Sequence, residues 1–226
     1  MAGLYADLRK SRKNMPDKPV YRITLVRHGE SVGNAENRLQ GHADYPLSER
    51  GRAQALALAQ RWKAEAITFD HVIASPLSRA LETGQIIAAA LGIANPETDP
   101  LWMERDTGKR SGMTWDEIQQ QYPEPDFANP YDSIAASGED DGALYLRGGQ
   151  ALRSILQRPP ARYLVASHGA ILNMVLYAIL GIAPQPNFQG ARCRLQNGSF
   201  SRFRYYSLAH RWQVDVIGDR SHWQGD

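Results

Sequence analysis

Residues 27–29 read Arg-His-Gly and residues 167–169 read Ser-His-Gly, and each triplet follows an apolar run, in LVRHG and in YLVASHG. A lone histidine where a strand meets a loop is usually a structural hydrogen-bonder. Two of them, one beside an arginine, resist that explanation, because a buried imidazole needs polar partners and a buried guanidinium needs an anion. A neutral imidazole is also a nucleophile, and the guanidinium fork matches the oxygens of a phosphoryl group. Arg27, His28 and His168 therefore point to an anion site with phosphoryl chemistry. Arg79, Lys109 and Arg110 are further cations at the starts of other segments, and Gly29 and Gly169 would let backbone N–H groups approach an oxygen. Phosphoryl transfer to an imidazole needs a proton for the departing oxygen. By residue type the acids on offer are Glu104 and Glu30, with Asp106 third.

Competing motifs fail on inspection. MERDTGKRS has Met103 where a nucleotide-binding loop needs its first glycine, and Lys109 is followed by arginine instead of serine or threonine. There is no His-Glu-x-x-His, and GESVGN is not a nucleophile elbow. A metal hydrolase built on His28 and His168 stays open as a minor alternative.

The elements that must carry these residues alternate. VYRITLVRHG is rich in β-branched residues and stops at Gly29, as a buried strand feeding a functional loop would. PLSERGRAQALALAQRWKAEA predicts a helix, FDHVIASP a short strand halted by Pro76, and LSRALETGQIIAAALG a second helix ending near Gly92. Thr114 and Glu117 stand at capping-box spacing in GMTWDEIQQQYP and predict a short helix. Residues 122–141, dense in proline, aspartate and serine, read equally as a binding loop or an uninformative excursion. A helix from about Asp141 to Leu156 then precedes a strand, Tyr163 to Ala166, that delivers His168 to an apolar helix. The last segment, GSFSRFRYYSLAHRWQVDVIG, reads as a hairpin forming an antiparallel edge. This predicts an α/β domain with a mainly parallel sheet, whose ligands sit at the carboxyl ends of the strands.

Composition sets the class. At 226 residues, 42% hydrophobic and 22% charged, the chain is an ordinary globular protein with one core. One cysteine, Cys193, excludes an internal disulfide and a cysteine-rich metal site. The first twenty residues carry five cations against two anions, whereas the whole chain is only +2, so the remainder offers no broad basic footprint for nucleic acid. Residues 1–19 read as a basic, poorly ordered extension and 20–226 as a single domain. No apolar run of signal-peptide length opens the chain, so a cytoplasmic protein with no membrane partner is expected.

The chain resembles the histidine phosphatase superfamily, also called the phosphoglycerate mutase-like family. LVRHGES, GHADYPLSERG, ASPLSRALET, LWMERDTG and YLVASHG occur in that family's order across residues 20 to about 207. The resemblance implies a three-layer α/β/α sandwich with no metal, no nucleotide and no cofactor. It implies that His28 becomes phosphohistidine, that His168, Arg27 and Arg79 hold the phosphoryl oxygens, and that Glu104 protonates the departing alkoxide and later activates water. Asn34 and Gln40 match family positions that point into the same cleft, and Gly169 follows the second histidine. One stretch departs from the pattern: GKRSG carries Ser111 where the family commonly has glutamate or glutamine, preceded by Lys109 and Arg110. These two cations, with residues 122–141, are expected to form the specificity wall. Only 63 residues lie between Glu104 and His168, which is similar to the shorter, phosphatase-like members. The expected function is metal-independent hydrolysis of a small phosphorylated metabolite. The alternatives are a 2,3-bisphosphoglycerate-dependent mutase, a sugar-bisphosphate or cobalamin-pathway phosphatase, and an inactive phosphoester-binding regulator. Assembly into a homo-oligomer is left open.

Overall fold

The computed structural model describes residues 19–123, 125–188 and 190–225. The expected basic extension therefore lies, apart from Pro19, outside the described residues. Six strands form one sheet: β1 (Val20–Arg27), β2 (His71–Ala74), β3 (Glu97–Thr98), β4 (Arg162–Ser167), β5 (Phe200–Tyr206) and β6 (Arg211–Asp219). Their order is β3-β2-β4-β1-β5-β6. The first four run parallel, β5 adds antiparallel to β1 and β6 antiparallel to β5, as the hairpin reading of the final segment expects.

Side-chain alternation along the central strands divides the core into two layers. Val26, Val72, Leu164 and Phe200 point to one face, where Leu58, Ala59, Trp62 and Ile87 cover them from α2 (Glu49–Ala64) and α3 (Ser78–Leu91). Ile23, Leu25, Ile73, Tyr163, Val165 and Phe203 point to the other, against α5 (Asp141–Leu156) and α6 (Gly169–Leu180). Each buried Leu, Ile, Val or Phe contributes about 1.5–3 kcal/mol. The result is the α/β/α sandwich expected from the sequence. A four-residue helix, α1 (Val32–Ala35), and the two-residue β3 lie in stretches to which the sequence assigns no element, and both are too short to leave a periodic signature.

Local signals hold where they have a mechanism. Thr114 and Glu117 form the reciprocal capping box that starts α4 (Trp115–Gln121). Gly92 ends α3 in the left-handed conformation at φ 67°. Among the described residues between α4 and α5 there is a single 3-10 turn, Ile134–Ala136, and Asp141 already belongs to α5.

Register places the chemistry. β1 and β4 pair side by side with Arg27 opposite Ser167, so their carboxyl ends coincide. The loop leaving β1 then runs against the start of α2 in backbone-to-backbone contact: a Cβ on Gly51 would stand 1.9 Å from the Glu30 carbonyl oxygen, and one on Gly29 would stand 2.3 Å from that of Gly51. No side-chain rotation relieves such a clash. Gly51→Ala should cost about 1–3 kcal/mol by overpacking and displace the turn after His28. Urea unfolding together with steady-state kinetics checks this, and a G51A protein with parental stability and kcat/KM would show that the loop is not clamped there.

Candidate active site

His28 lies one residue past β1 and is 3% exposed. Its backbone N–H donates to the Ser167 carbonyl at 2.9 Å, extending the β1–β4 pairing beyond the strand. Its ring Nδ1 lies 2.6 Å from the Gly29 carbonyl oxygen. A carbonyl only accepts, so the ring proton resides on Nδ1 and the lone pair on Nε2. His168 lies one residue past β4, with ring centroids 5.1 Å apart. Its Nε2 is 2.8 Å from the Ser75 hydroxyl, at the carboxyl end of β2. With that hydroxyl as donor, the proton of the His168 ring sits on Nδ1.

The two arginines are held by backbone carbonyls. Arg27 donates through Nη1 to Leu195 at 2.6 Å. Arg79, in the first turn of α3 and 1% exposed, donates through Nη1 to Ala43 at 3.0 Å and through Nη2 to Gly41 at 2.8 Å. Gly41 presents that carbonyl at φ 51°, with Thr107 Oγ1 packed where a Cβ would be. The Nε of each arginine and Nδ1 of His168 are buried with no hydrogen-bond partner. The two guanidinium N–H groups, with His168 Nδ1–H in that tautomer, form a candidate anion cradle, since the oxygens of an oxyanion can supply the partner each lacks.

Burial sets the charge states. The His28 ring is held well below 6.5 first by desolvation and then by the charges of Arg79 and Arg27. His168 is lowered in the same direction by burial, Arg79, His28 and Arg27. Both imidazoles are therefore neutral near pH 7, which is the nucleophilic form of His28. Desolvation also lowers Arg27 and Arg79, and the Glu104 carboxylate opposes it in both.

Glu104 reaches the site from the loop after β3. Its carboxylate accepts from the backbone N–H groups of Ala170 (3.1 Å) and Ile171 (3.2 Å), in the first turn of α6. The rival acids are elsewhere. Glu30 accepts from the Ser48 hydroxyl at 2.8 Å and faces Arg50, and Asp106 caps the turn at Gly108. Asn34 Oδ1 accepts from the Ser31 backbone N–H (3.2 Å) and from Asn197 Nδ2 (3.0 Å), and Gln40 Oε1 accepts from the Ser31 hydroxyl (2.7 Å). Gly169 packs on the Arg27 guanidinium, its Cβ position 3.5 Å from Cζ.

A cleft of about 530 Å³ gathers Arg27, His28, Asn34, Gln40, Arg79, Glu104 and Arg110. Lys109 is not among its lining residues: it is exposed, whereas Arg110 is buried and donates to the Tyr122 carbonyl. The expected specificity wall is thus split, and residues 122–141 contribute Ile134 to the cleft. Sequence reasoning missed Arg38, Arg105, Trp115 and Arg192 in the lining, and Ser75 behind His168. Ser75 had a usable signal, because it ends a parallel strand as His28 and His168 do. Among the described residues no group of three or more histidine, cysteine, aspartate or glutamate side chains could hold a metal ion, and no helix is long and apolar enough to cross a membrane.

Residues 23–220 match the histidine phosphatase superfamily (branch 1). Over 207 residues the chain is 38% identical to a protein of Cronobacter sakazakii named a probable phosphoglycerate mutase, GpmB, covering 88% of this chain and 94% of that one. Among solved structures, YhfR of Bacillus stearothermophilus superposes with a TM-score of 0.74 at 27% identity, covering 89% of this chain and 98% of that one. The alpha-ribazole phosphatase of Shigella flexneri superposes at 0.75 with 22% identity, covering 88% and 96%. With the motifs in order, the family match across nearly the whole described chain and a 38% identical relative, this chain belongs to the histidine phosphatase superfamily, branch 1.

Proposed function

We propose that the protein hydrolyses a small phosphomonoester through a phosphohistidine on His28. The observation that carries this reading is the tautomer of His28 inside its cradle: Nδ1–H is tied to the Gly29 carbonyl, so Nε2 is the free nucleophile among three unpartnered donors. Nε2 attacks phosphorus and the P–O ester bond breaks. Glu104, in its acid form, gives its proton to the departing oxygen and releases the alcohol. Water then attacks the phosphohistidine, the Glu104 carboxylate takes its proton, the P–N bond breaks and inorganic phosphate leaves. Arg27, Arg79 and His168 Nδ1 meet the charge on the equatorial oxygens, where such donors act most strongly in the transition state. Asn34, Gln40 and Arg110 line the same cleft and would contact the bound ester.

Transfer to a second alcohol, as in a phosphoglycerate mutase, is the second reading, favoured by the 38% identical relative. Hydrolysis is preferred because the cleft is open. Trp115 in its wall is 48% exposed, and a further cavity of about 410 Å³ shares Arg27, Arg105, Ala170 and Arg192 with it. A mutase must keep water from the phosphoenzyme and retain a bisphosphorylated intermediate. Turnover of 3-phosphoglycerate with and without 2,3-bisphosphoglycerate separates the two: phosphate release without isomerisation supports the hydrolase, and isomerisation that outpaces release supports the mutase.

Three outcomes are expected. Rapid quench into alkaline detergent with a labelled ester should trap a phosphoenzyme in the parent, with chelator present, whose label survives alkali and is lost in acid, and none in His28→Ala; label on another residue would overturn the nucleophile. Glu104→Gln should lose on the order of 10²-fold or more on an alkyl phosphate. It should lose much less in alcohol release from p-nitrophenyl phosphate, whose leaving group departs unprotonated, and equal losses on both esters would remove Glu104 as the acid. The third outcome concerns pH. Because the folded state holds both imidazoles below 6.5, the unfolded chain binds more protons there, and stability must fall as pH drops below 6.5. The slope is about 1.4 kcal/mol per pH unit for each ring. Denaturant unfolding from neutral to mildly acidic pH should show it, and an unchanged slope in the H28Q/H168Q double variant would contradict it.

A further inference from the structure

The structure assigns to Arg147 the positioning of the Glu104 carboxyl group, through a clamp that no substrate touches. This rests on Glu104 being the proton donor. Arg147 projects from α5, two helical turns beyond the loop 122–141, and its guanidinium collects the backbone of the Glu104 segment. Nη1 donates to the carbonyls of Leu101 (3.0 Å) and Met103 (2.7 Å), and Nη2 donates to that of Glu104 itself (3.1 Å). The other edge of the same guanidinium is fixed by Glu139, at 2.8 Å from Nε and 2.6 Å from Nη2. These five contacts match its five N–H groups one for one, so the fork has a single orientation.

The segment is also held by the buried Trp102, whose carbonyl accepts from the Ser167 hydroxyl at 2.7 Å, by the Arg105–Asp141 ion pair and by the Glu104 carboxylate on the Ala170 and Ile171 N–H groups, but the carbonyls of Leu101, Met103 and Glu104 converge on Arg147. After the 3-10 turn at Pro100–Trp102 it runs as irregular chain to Gly108, with no strand or α-helix to hold Glu104. Besides Arg147, the Glu104 carbonyl accepts only from His42 Nε2, at 2.8 Å, among the bonds of the described residues. Glu139 adds a second attachment: its backbone N–H donates to the Asp106 carbonyl at 2.8 Å, and Gly138 lies so close that a Cβ there would meet the same oxygen at 2.7 Å. Residues 137–139 and 106–108 are thus packed backbone against backbone, with Arg147 and Glu139 as the charged pair across the seam. Both side chains are mostly buried, at 19% and 15% exposure, so the pair is shielded from the solvent that weakens surface ion pairs.

A general acid acts only if its proton meets the departing oxygen within hydrogen-bond reach, and a displacement of about 1 Å can cost on the order of 10²-fold. Loss of the clamp should therefore act on leaving-group protonation and spare the attack by His28, which is held by β1 and β4 and not by this seam.

The test uses the full chain and measures alcohol release in the first turnover from an alkyl phosphate and from p-nitrophenyl phosphate, in the parent, Arg147→Gln, Arg147→Lys, Glu139→Gln, Glu104→Gln and the E104Q/R147Q double variant. R147Q should lose about tenfold or more on the alkyl ester and about threefold or less on the aryl ester, with KM for each nearly unchanged. R147K, one point charge in place of a fork, and E139Q should show the same selectivity at smaller amplitude. The double variant should fall no further on the alkyl ester than E104Q alone, since both changes remove one contribution. Equal losses of R147Q on both esters, or losses that multiply in the double variant, would overturn the assignment, as would parental kinetics in R147Q. Inorganic phosphate protection against unfolding, which reads the cradle of Arg27, Arg79 and His168, should persist in R147Q; its disappearance would mean that Arg147 supports the whole site and not the acid. The E104Q arm tests the underlying reading separately: if E104Q discriminates between the esters and R147Q does not, only the clamp fails, whereas an E104Q protein without discrimination removes the acid and the clamp together.

Discussion

The pairing of β1 with β4 is the constraint on which the site depends. Arg27 stands opposite Ser167, and the His28 N–H continues the ladder to the Ser167 carbonyl, so two histidines 140 positions apart in sequence leave the sheet at the same height. A slip of one residue would turn every side chain of β1 to the other face, burying the wrong residues in both core layers. The same apolar alternation that divides Ile23 and Leu25 from Val26 therefore fixes the distance between the imidazoles. β2 joins the arrangement through β4, and the Ser75 N–H donates to the Ala166 carbonyl just past its end. Its hydroxyl thereby stands beside His168. Ser75, His28 and His168 are three consequences of one sheet edge.

Electrostatics sets what that geometry can do. Taking Arg27 and Arg79 out of water is costly, and carbonyls of Leu195, Ala43 and Gly41 repay only part of it, leaving each Nε unpartnered. An unsatisfied buried donor costs about 1–3 kcal/mol. The fold carries this deficit beside two imidazoles that are held neutral first by their own burial and then by the arginine charges. A protonated His28 would have no lone pair on Nε2, so burial, aided by the cations proposed to bind the phosphoryl group, keeps the proposed acceptor in its nucleophilic form.

Much of this was legible in the sequence, and the reasons differ from residue to residue. The histidines could be read because a parallel sheet presents its carboxyl ends to ligands, and α5 spans Asp141–Leu156 as read, although Gly148 and Gly149 weaken its helical signal. Glu104, Glu30 and Asp106 could not be ranked by type; the Ser48 hydroxyl and the turn at Gly108 take the latter two away from the cleft. Lys109 and Arg110 looked like one basic pair, yet they occupy a 3-10 turn, in which consecutive residues point about 120° apart, so one is exposed and the other buried. The carbonyls that hold Arg79, Arg27 and the clamp from Arg147 have no sequence signature at all, since every residue carries one.

The central claim is that His28 Nε2 receives the phosphoryl group inside a cradle made by Arg27, Arg79 and His168. A crystal structure of the protein with orthovanadate, a mimic of the five-coordinate phosphorus, tests it most directly. The account predicts vanadium bonded to His28 Nε2, its equatorial oxygens within hydrogen-bond distance of both arginine Nε atoms and His168 Nδ1, and the Nδ1–Gly29 hydrogen bond retained. Vanadium bonded to His168, or an ion held in the neighbouring cavity by Arg192 with His28 untouched, would contradict it.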